Sequence, residues 1–111
     1  MYDRLQEFMD EYVATLPAGS QKPAFGFQCY FAGGRVFGLY DGLAVTLKFP
    51  EEVGTDLLAK RMGKRFRHAS STFGREWIRI NPASVNTDEV LETLIRQSYD
   101  YVLASTSNVP S

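Results

Sequence analysis

Ala24-Phe25-Gly26-Phe27-Gln28-Cys29-Tyr30-Phe31-Ala32-Gly33-Gly34-Arg35-Val36-Phe37-Gly38-Leu39-Tyr40-Asp41-Gly42-Leu43-Ala44-Val45-Thr46-Leu47-Lys48-Phe49 is the stretch from which the architecture follows. Phe25, Phe27, Cys29 and Phe31 alternate with Gly26, Gln28 and Tyr30, the period of a strand with one apolar face. Leu43, Val45, Leu47 and Phe49 repeat that period against Ala44, Thr46 and Lys48. Gly33-Gly34 and Asp41-Gly42 bracket a middle segment over 35–40, and both dipeptides suit two-residue hairpin turns, which require positive φ. The stretch therefore predicts three antiparallel strands in a meander.

On both sides the period changes to that of a helix. Leu5, Phe8, Met9, Tyr12, Val13 and Leu16 form one stripe, and Leu16-Pro17-Ala18-Gly19 ends it. After the meander, Phe49-Pro50-Glu51-Glu52 opens a second helix, with Val53, Leu57, Leu58 and Met62 as its stripe and Gly63 as its terminator. Extended segments over 64–69 and 75–80 flank a loop at 70–74. In the last helix Asn86 is expected as N-cap, with Glu89 completing a capping box and Val85 and Val90 a staple; Leu91, Leu94, Ile95 and Val102 face inward. Residues 105–111 read as a flexible tail. The expected molecule is one α+β domain over residues 1–104, ordered α-β(3)-α-β(2)-α, an antiparallel sheet with helices packed on one face.

The chain has 111 residues, of which 14% are aromatic, with one cysteine and one histidine. That length supports a core without staples, and one cysteine excludes an internal disulfide and multi-cysteine zinc sites. No cofactor or metal is expected. The acidic start lacks the basic and apolar regions of a signal peptide, and no run is long enough to span a bilayer. A cytoplasmic protein without membrane contact is the expectation.

Catalytic constellations do not assemble. His68 stands alone, and neither Ser70 nor Ser71 sits on a strand-to-helix elbow. Cys29 lies on the aromatic phase as a buried thiol. Two of the acidic pairs, Glu51/Glu52 and Asp88/Glu89, occupy first helical turns, where the helix dipole accounts for them. Gly33 to Gly38 lacks both the Lys-Ser/Thr ending and the following helix of a phosphate loop. A non-enzymatic protein follows.

Charge is distributed unevenly. Between Lys60 and Arg79 seven cations (Lys60, Arg61, Lys64, Arg65, Arg67, Arg75, Arg79) face only Glu76, a surplus of six, while five cations and twelve acids elsewhere leave a deficit of seven. If Ile78 and Ile80 face the helices, then Arg75, Trp77 and Arg79 project from the opposite sheet face. Arg65 and Arg67 share a phase on the neighbouring strand, and Lys48 and Tyr30 belong to the outward phase of the meander. Lys48, Lys64, Arg65, Arg67, Arg75, Trp77, Arg79 and Tyr30 are thus the candidate binding residues: cations to pair phosphates of DNA or RNA, aromatics to stack on bases. The alternative is a protein-interaction or chaperone-like module that dimerises or holds a partner protein through the same open face.

Phe25-Gly26-Phe27-Gln28-Cys29-Tyr30-Phe31, Gly33-Gly34-Arg35-Val36-Phe37-Gly38-Leu39 and Asp41-Gly42-Leu43-Ala44-Val45-Thr46-Leu47-Lys48 resemble the glycine-rich meander of the TfoX N-terminal domain. Trp77-Ile78-Arg79-Ile80 with Asp88-Glu89-Val90-Leu91 and the segment from Leu94 to Val102 is similar to the end of YjbR (MmcQ) proteins. The resemblance covers about three-quarters of the chain and implies a small bacterial or archaeal regulatory or DNA-binding protein, a fold shared with type III secretion chaperones, and no catalytic residues. The likeness to TfoX is to its N-terminal domain and does not extend to its helical C-terminal domain.

Overall fold

The N-terminal stripe folds as helix α1 (Leu5–Ala14) in the computed structural model, which describes residues 5–66, 74, 76–85 and 87–107. Leu5, Met9, Val13 and Leu16 are buried. Phe8 and Tyr12 lie half-buried at the margin and stack, ring centroids 5.9 Å apart.

An additional strand follows the helix. β1 (Gly19–Ala24) pairs antiparallel with β2 (Phe27–Ala32), so the meander has four strands where three were expected. Phe25-Gly26 is the two-residue turn between them, at φ of 57° and 81°. Both residues at positive φ make the twist-matched hairpin turn, so Phe25 reverses the chain instead of alternating in a strand. β1 has no period-2 apolar signal because it lies at the sheet edge, with its middle residues exposed. Pro23 is tolerated there, since an edge strand leaves one row of N–H groups unpaired.

Gly33-Gly34 makes the expected tight turn into β3 (Arg35–Tyr40). The next connection is longer than expected: Tyr40 pairs with Val45 at the start of β4 (Val45–Lys48), leaving Asp41 to Ala44 as the loop. Asp41 holds it, its Oδ1 accepting from the Leu43 and Ala44 N–H groups at 2.9 Å each. β3 carries a bulge: Tyr30 pairs with Gly38 but Phe31 with Val36, so Phe37 is the extra residue.

Helix α2 (Glu51–Ala59) leads to β5 (Gly63–Arg65) and β6 (Trp77–Ile80), and a single 3-10 turn at Pro82–Ser84 precedes helix α3 (Asp88–Ser107). The six strands lie in the order β1-β2-β3-β4-β6-β5, every neighbouring pair antiparallel. α1, α2 and α3 cover one side. This is a single α+β domain, with the order α-β(4)-α-β(2)-α.

Three helix ends differ from expectation. α2 stops at Arg61, which takes φ of 58°, while Arg61 N–H donates to the Leu58 carbonyl (3.1 Å) and Met62 N–H to that of Leu57 (3.0 Å). This is the Schellman pattern, made by an arginine. Gly63 instead lies in β5 opposite Ile80, where an added Cβ would come within 2.7 Å of the Arg79 carbonyl oxygen. At the start of α3, Thr87 Oγ1 accepts from Val90 N–H at 3.3 Å, placing the cap one residue after Asn86, which lies outside the described residues. Val90 then occupies the third helical position, so Glu89 does not complete a box. The apolar stripe sets the helix phase and leaves its first residue free to shift. At the far end α3 continues through Ser107, with Ser105 Oγ donating to the Tyr101 carbonyl at 3.0 Å, so the segment read as tail begins as helix.

The main core joins Leu91, Leu94, Ile95, Tyr99 and Val102 of α3 to Tyr30, Phe37, Val45, Leu47, Ile78 and Ile80 of the sheet. The Tyr99 ring meets Phe37 edge to face at 5.8 Å, and its hydroxyl accepts from Ala18 N–H at 3.0 Å, tying α3 to the connection between α1 and β1.

Candidate binding face

Cross-strand pairs decide which side chains share a face. Cys29, Leu39, Thr46, Arg79 and Lys64 are successive partners across β2, β3, β4, β6 and β5. Lys48 and Trp77 are also partners, two residues along from Thr46 and Arg79. Lys48, Lys64, Trp77 and Arg79 are therefore brought together on the face away from the helices. The complementary row is Tyr30, Gly38, Leu47, Ile78 and Arg65, on the helix side. Arg65, expected on the open face, is thus on the helix side, because it pairs with Ile78 and not Arg79, and it stays exposed there because β5 is the sheet edge. Arg67, Arg75, His68, Ser70 and Ser71 lie outside the described residues.

Two aromatic assignments are corrected. Tyr30 is fully buried among the helix-side residues, its hydroxyl donating to Asp10 Oδ1 of α1 at 2.7 Å. Burial and that carboxylate push the tyrosine pKa up. Tyr30 is thus a core anchor and no stacking platform. Alternation alone makes the phenylalanine phase of β2 the inner one, but both faces of this sheet are apolar at the centre. Trp77 does lie on the outer face but is only 4% exposed. Cys29, Leu39 and Trp77 form a second buried cluster, with Ala24, Phe27, Phe31, Val36 and Phe66 packed around it.

Curvature of the sheet closes that cluster. Phe27 on β2 and Phe66 just beyond β5 are four strand steps apart, about 19 Å on a flat sheet, yet their rings meet edge to face at 6.0 Å. Coiling of the twisted sheet brings diagonal corners together over the cluster. Thr46 Oγ1 is buried there without a hydrogen-bond partner among the described residues, consistent with a face sealed from water at the centre. The Cys29 thiol donates to the Ala24 carbonyl at 3.3 Å. Burial raises its pKa more than that contact lowers it, so it stays a protonated core thiol at neutral pH.

The cations of this face are partly matched by acids that sequence reading had not placed there. Arg79 Nε donates to Asp41 Oδ2 at 3.0 Å, and Lys48 Nζ stands 3.8 Å from Glu76. The Tyr101 hydroxyl also donates to Glu76. That bond, with burial and the charges of Glu76 and Glu52, pushes the Tyr101 pKa up to about 12. Lys22 Nζ lies over the Phe31 ring at 5.3 Å. The exposed cations cluster instead at the corner where α2 meets β5, as Arg61, Lys64 and Arg65, with Lys60 paired to Asp56 at 3.0 Å.

No protein-family model matches the chain, and no curated protein matches it. Among the described residues no three His, Cys, Asp or Glu side chains converge as a metal site, and no helix is long and apolar enough to cross a membrane. Asp41 is the residue that sequence reading missed at this face, and Arg61, counted among the cations, was not read as the stop of α2. An aspartate before glycine between two strands is the signal that pointed to Asp41; nothing marked Arg61 as a cap.

Proposed function

We propose that the chain is a non-enzymatic nucleic-acid-binding protein that contacts phosphates through the basic corner of α2 and β5. The observation that carries this reading is the exposed trio Arg61, Lys64 and Arg65, within five residues of one another, on a chain whose net charge is −1. A cationic sheet edge on an acidic body, with Lys64 on the outer face and Arg65 on the helix side, gives orientation as well as affinity. With Trp77 and Tyr30 buried, recognition rests on the backbone of DNA or RNA instead of base stacking. Membership in the TfoX/YjbR-like group and a regulatory role belong to the same proposal, supported by the glycine and aromatic spacing of the meander.

Salt-titrated binding of labelled duplex DNA and RNA tests it. Affinity should fall linearly on a log–log plot with salt, and Lys64→Glu or Arg65→Glu should each reduce the slope by about one phosphate equivalent. Trp77 emission should not change on binding. Absence of binding at low salt, or affinity indifferent to both reversals, removes this reading.

A second reading has its own observation. Phe25 is 46% and Leu43 69% exposed, at hairpin tips on the same end of the sheet. Phe25 is moreover held at positive φ, at a cost of about 1–2 kcal/mol. Exposed apolar side chains at hairpin tips, one of them on a strained turn, suit a protein interface, whether with a partner or a second copy. Sedimentation should show concentration-dependent dimers that disappear in Phe25→Ser/Leu43→Ser; a monomer at all concentrations eliminates the homodimer.

A further inference from the structure

Ser98 splits the sheet. This α3 residue is fully buried, and its hydroxyl donates to the Phe37 carbonyl at 3.0 Å while accepting from Lys48 N–H at 3.1 Å. Those two backbone groups lie just past the last β3–β4 pair, Gly38 with Leu47, where a ladder bond would otherwise form. The Phe37 bulge begins at the same point. A helix side chain thus stands between two strands and keeps both backbone groups satisfied while the strands part.

Beyond that wedge lies a cleft of about 290 Å³ lined by Arg35 and Val36 of β3, Lys48 of β4, Trp77 of β6, and Val102 and Ser105 of α3. Val102 and Ser105 follow Ser98 at helical offsets of four and seven, so one stripe of α3 supplies both the wedge and a wall. The lining is of two kinds. Val36, Val102 and the Trp77 indole are apolar; Arg35, Lys48 and the Ser105 hydroxyl are polar. The volume sits at the lower limit of small-molecule sites.

The charge balance selects the sign of a ligand. Among the described residues no acid pairs with Arg35, and Lys48 has Glu76 only at 3.8 Å, while Glu76 also accepts from Tyr101. The Glu52 charge lies farther off, towards Tyr101, and at the lining itself Arg35 and Lys48 against the paired Glu76 leave a surplus of one cation. The C-terminal end of α3 opposes it with about half a charge, too little to reverse the sign. We propose that this cleft binds a small aromatic carboxylate, its anionic end between Arg35 and Lys48 and its ring on the half-buried Val36, reaching only the exposed edges of Val102 and Trp77.

The site is separate from the basic corner and does not depend on nucleic-acid binding. Benzoate is the probe, followed by backbone and indole N–H shifts, with benzamide, acetate and inorganic phosphate as parallel arms. Saturable benzoate shifts are expected at Val36, Lys48, Val102 and the Trp77 indole. Benzamide, which lacks the charge, and acetate, which lacks the ring, should each bind at least ~10-fold more weakly. Arg35 is exposed, so Arg35→Gln should leave the fold intact and weaken benzoate by about 10-fold or more. Lys64→Glu should leave it unchanged. No saturable shift, equal affinity for benzamide, phosphate binding as tightly as benzoate, or an undiminished response in Arg35→Gln overturns the assignment.

Discussion

Trp77→Ala is expected to destabilise the protein by ~3–5 kcal/mol, the cost of emptying a buried aromatic site. The indole is 4% exposed and, with Cys29 and Leu39, makes the centre of the cluster on the outer sheet face. Removing it also withdraws a wall from the space closed by Phe27 and Phe66. Against a typical total stability of about 5–15 kcal/mol, such a loss is visible as a large drop in the urea midpoint. Trp77→Phe should cost less, because a ring of similar depth remains. Trp77 is the only tryptophan, so its own emission provides an independent check: blue-shifted and shielded from acrylamide in the native state, red-shifted on unfolding. Solvent-like native emission would contradict the buried placement.

Asp41→Ala is expected to cost ~2–3 kcal/mol, the range for hydrogen bonds to a charged group. One carboxylate oxygen accepts from two loop N–H groups and the other from Arg79, so the residue closes the β3–β4 loop and fastens it to β6. The Arg79 end is about a third open to solvent, which keeps the value from rising further. The same residue gives stability an acid limb. Burial alone would raise the Asp41 pKa, but the Arg79 bond, the Ala44 and Leu43 N–H groups and the Arg79 charge outweigh it, and the folded pKa lies below that of an ordinary aspartate. The unfolded state therefore binds the proton more readily, and the contribution is complete above the unfolded pKa and disappears as pH falls through the folded one. Urea midpoints measured from neutral pH down through pH 3 should decline in the wild type. Part of that decline should vanish in Asp41→Asn, which retains an acceptor but has no titrating carboxyl. An identical acid limb in both proteins would sink the assignment.

Periodicity located all three helices, because a stripe at 3.6 residues must be covered by something apolar wherever the helix is placed. It located β2, β4 and β6 for the same reason, and the bracketing glycine turns located β3. β1 escaped because an edge strand with solvent on both sides of its middle residues has no burial pattern to write into sequence. The ends of α2 and α3 escaped because a helix stops where backbone hydrogen bonds find other partners, and Arg61 and Thr87 supplied them. At the candidate face, parity grouped Lys48, Trp77 and Arg79 correctly, but on β5 it chose Arg65, where the structure has Lys64 beside Arg79. It misplaced Tyr30 and left Trp77 in solvent, since alternation says that a side chain changes face but not which face is covered.

The sequence by itself determined an α+β domain, an antiparallel sheet with its helices on one side, and a basic segment on an acidic chain, all of which depend on local period and composition. Tertiary structure alone decided how that sheet is used. Coiling brought Phe27 to Phe66 and buried the outer tryptophan. Asp41 and Glu76, distant in sequence from the cations they meet, neutralised part of the basic face. Ser98 reached from α3 to part β3 from β4. Each of these contacts joins residues far apart in the chain, and neither period nor composition records which distant side chains will meet.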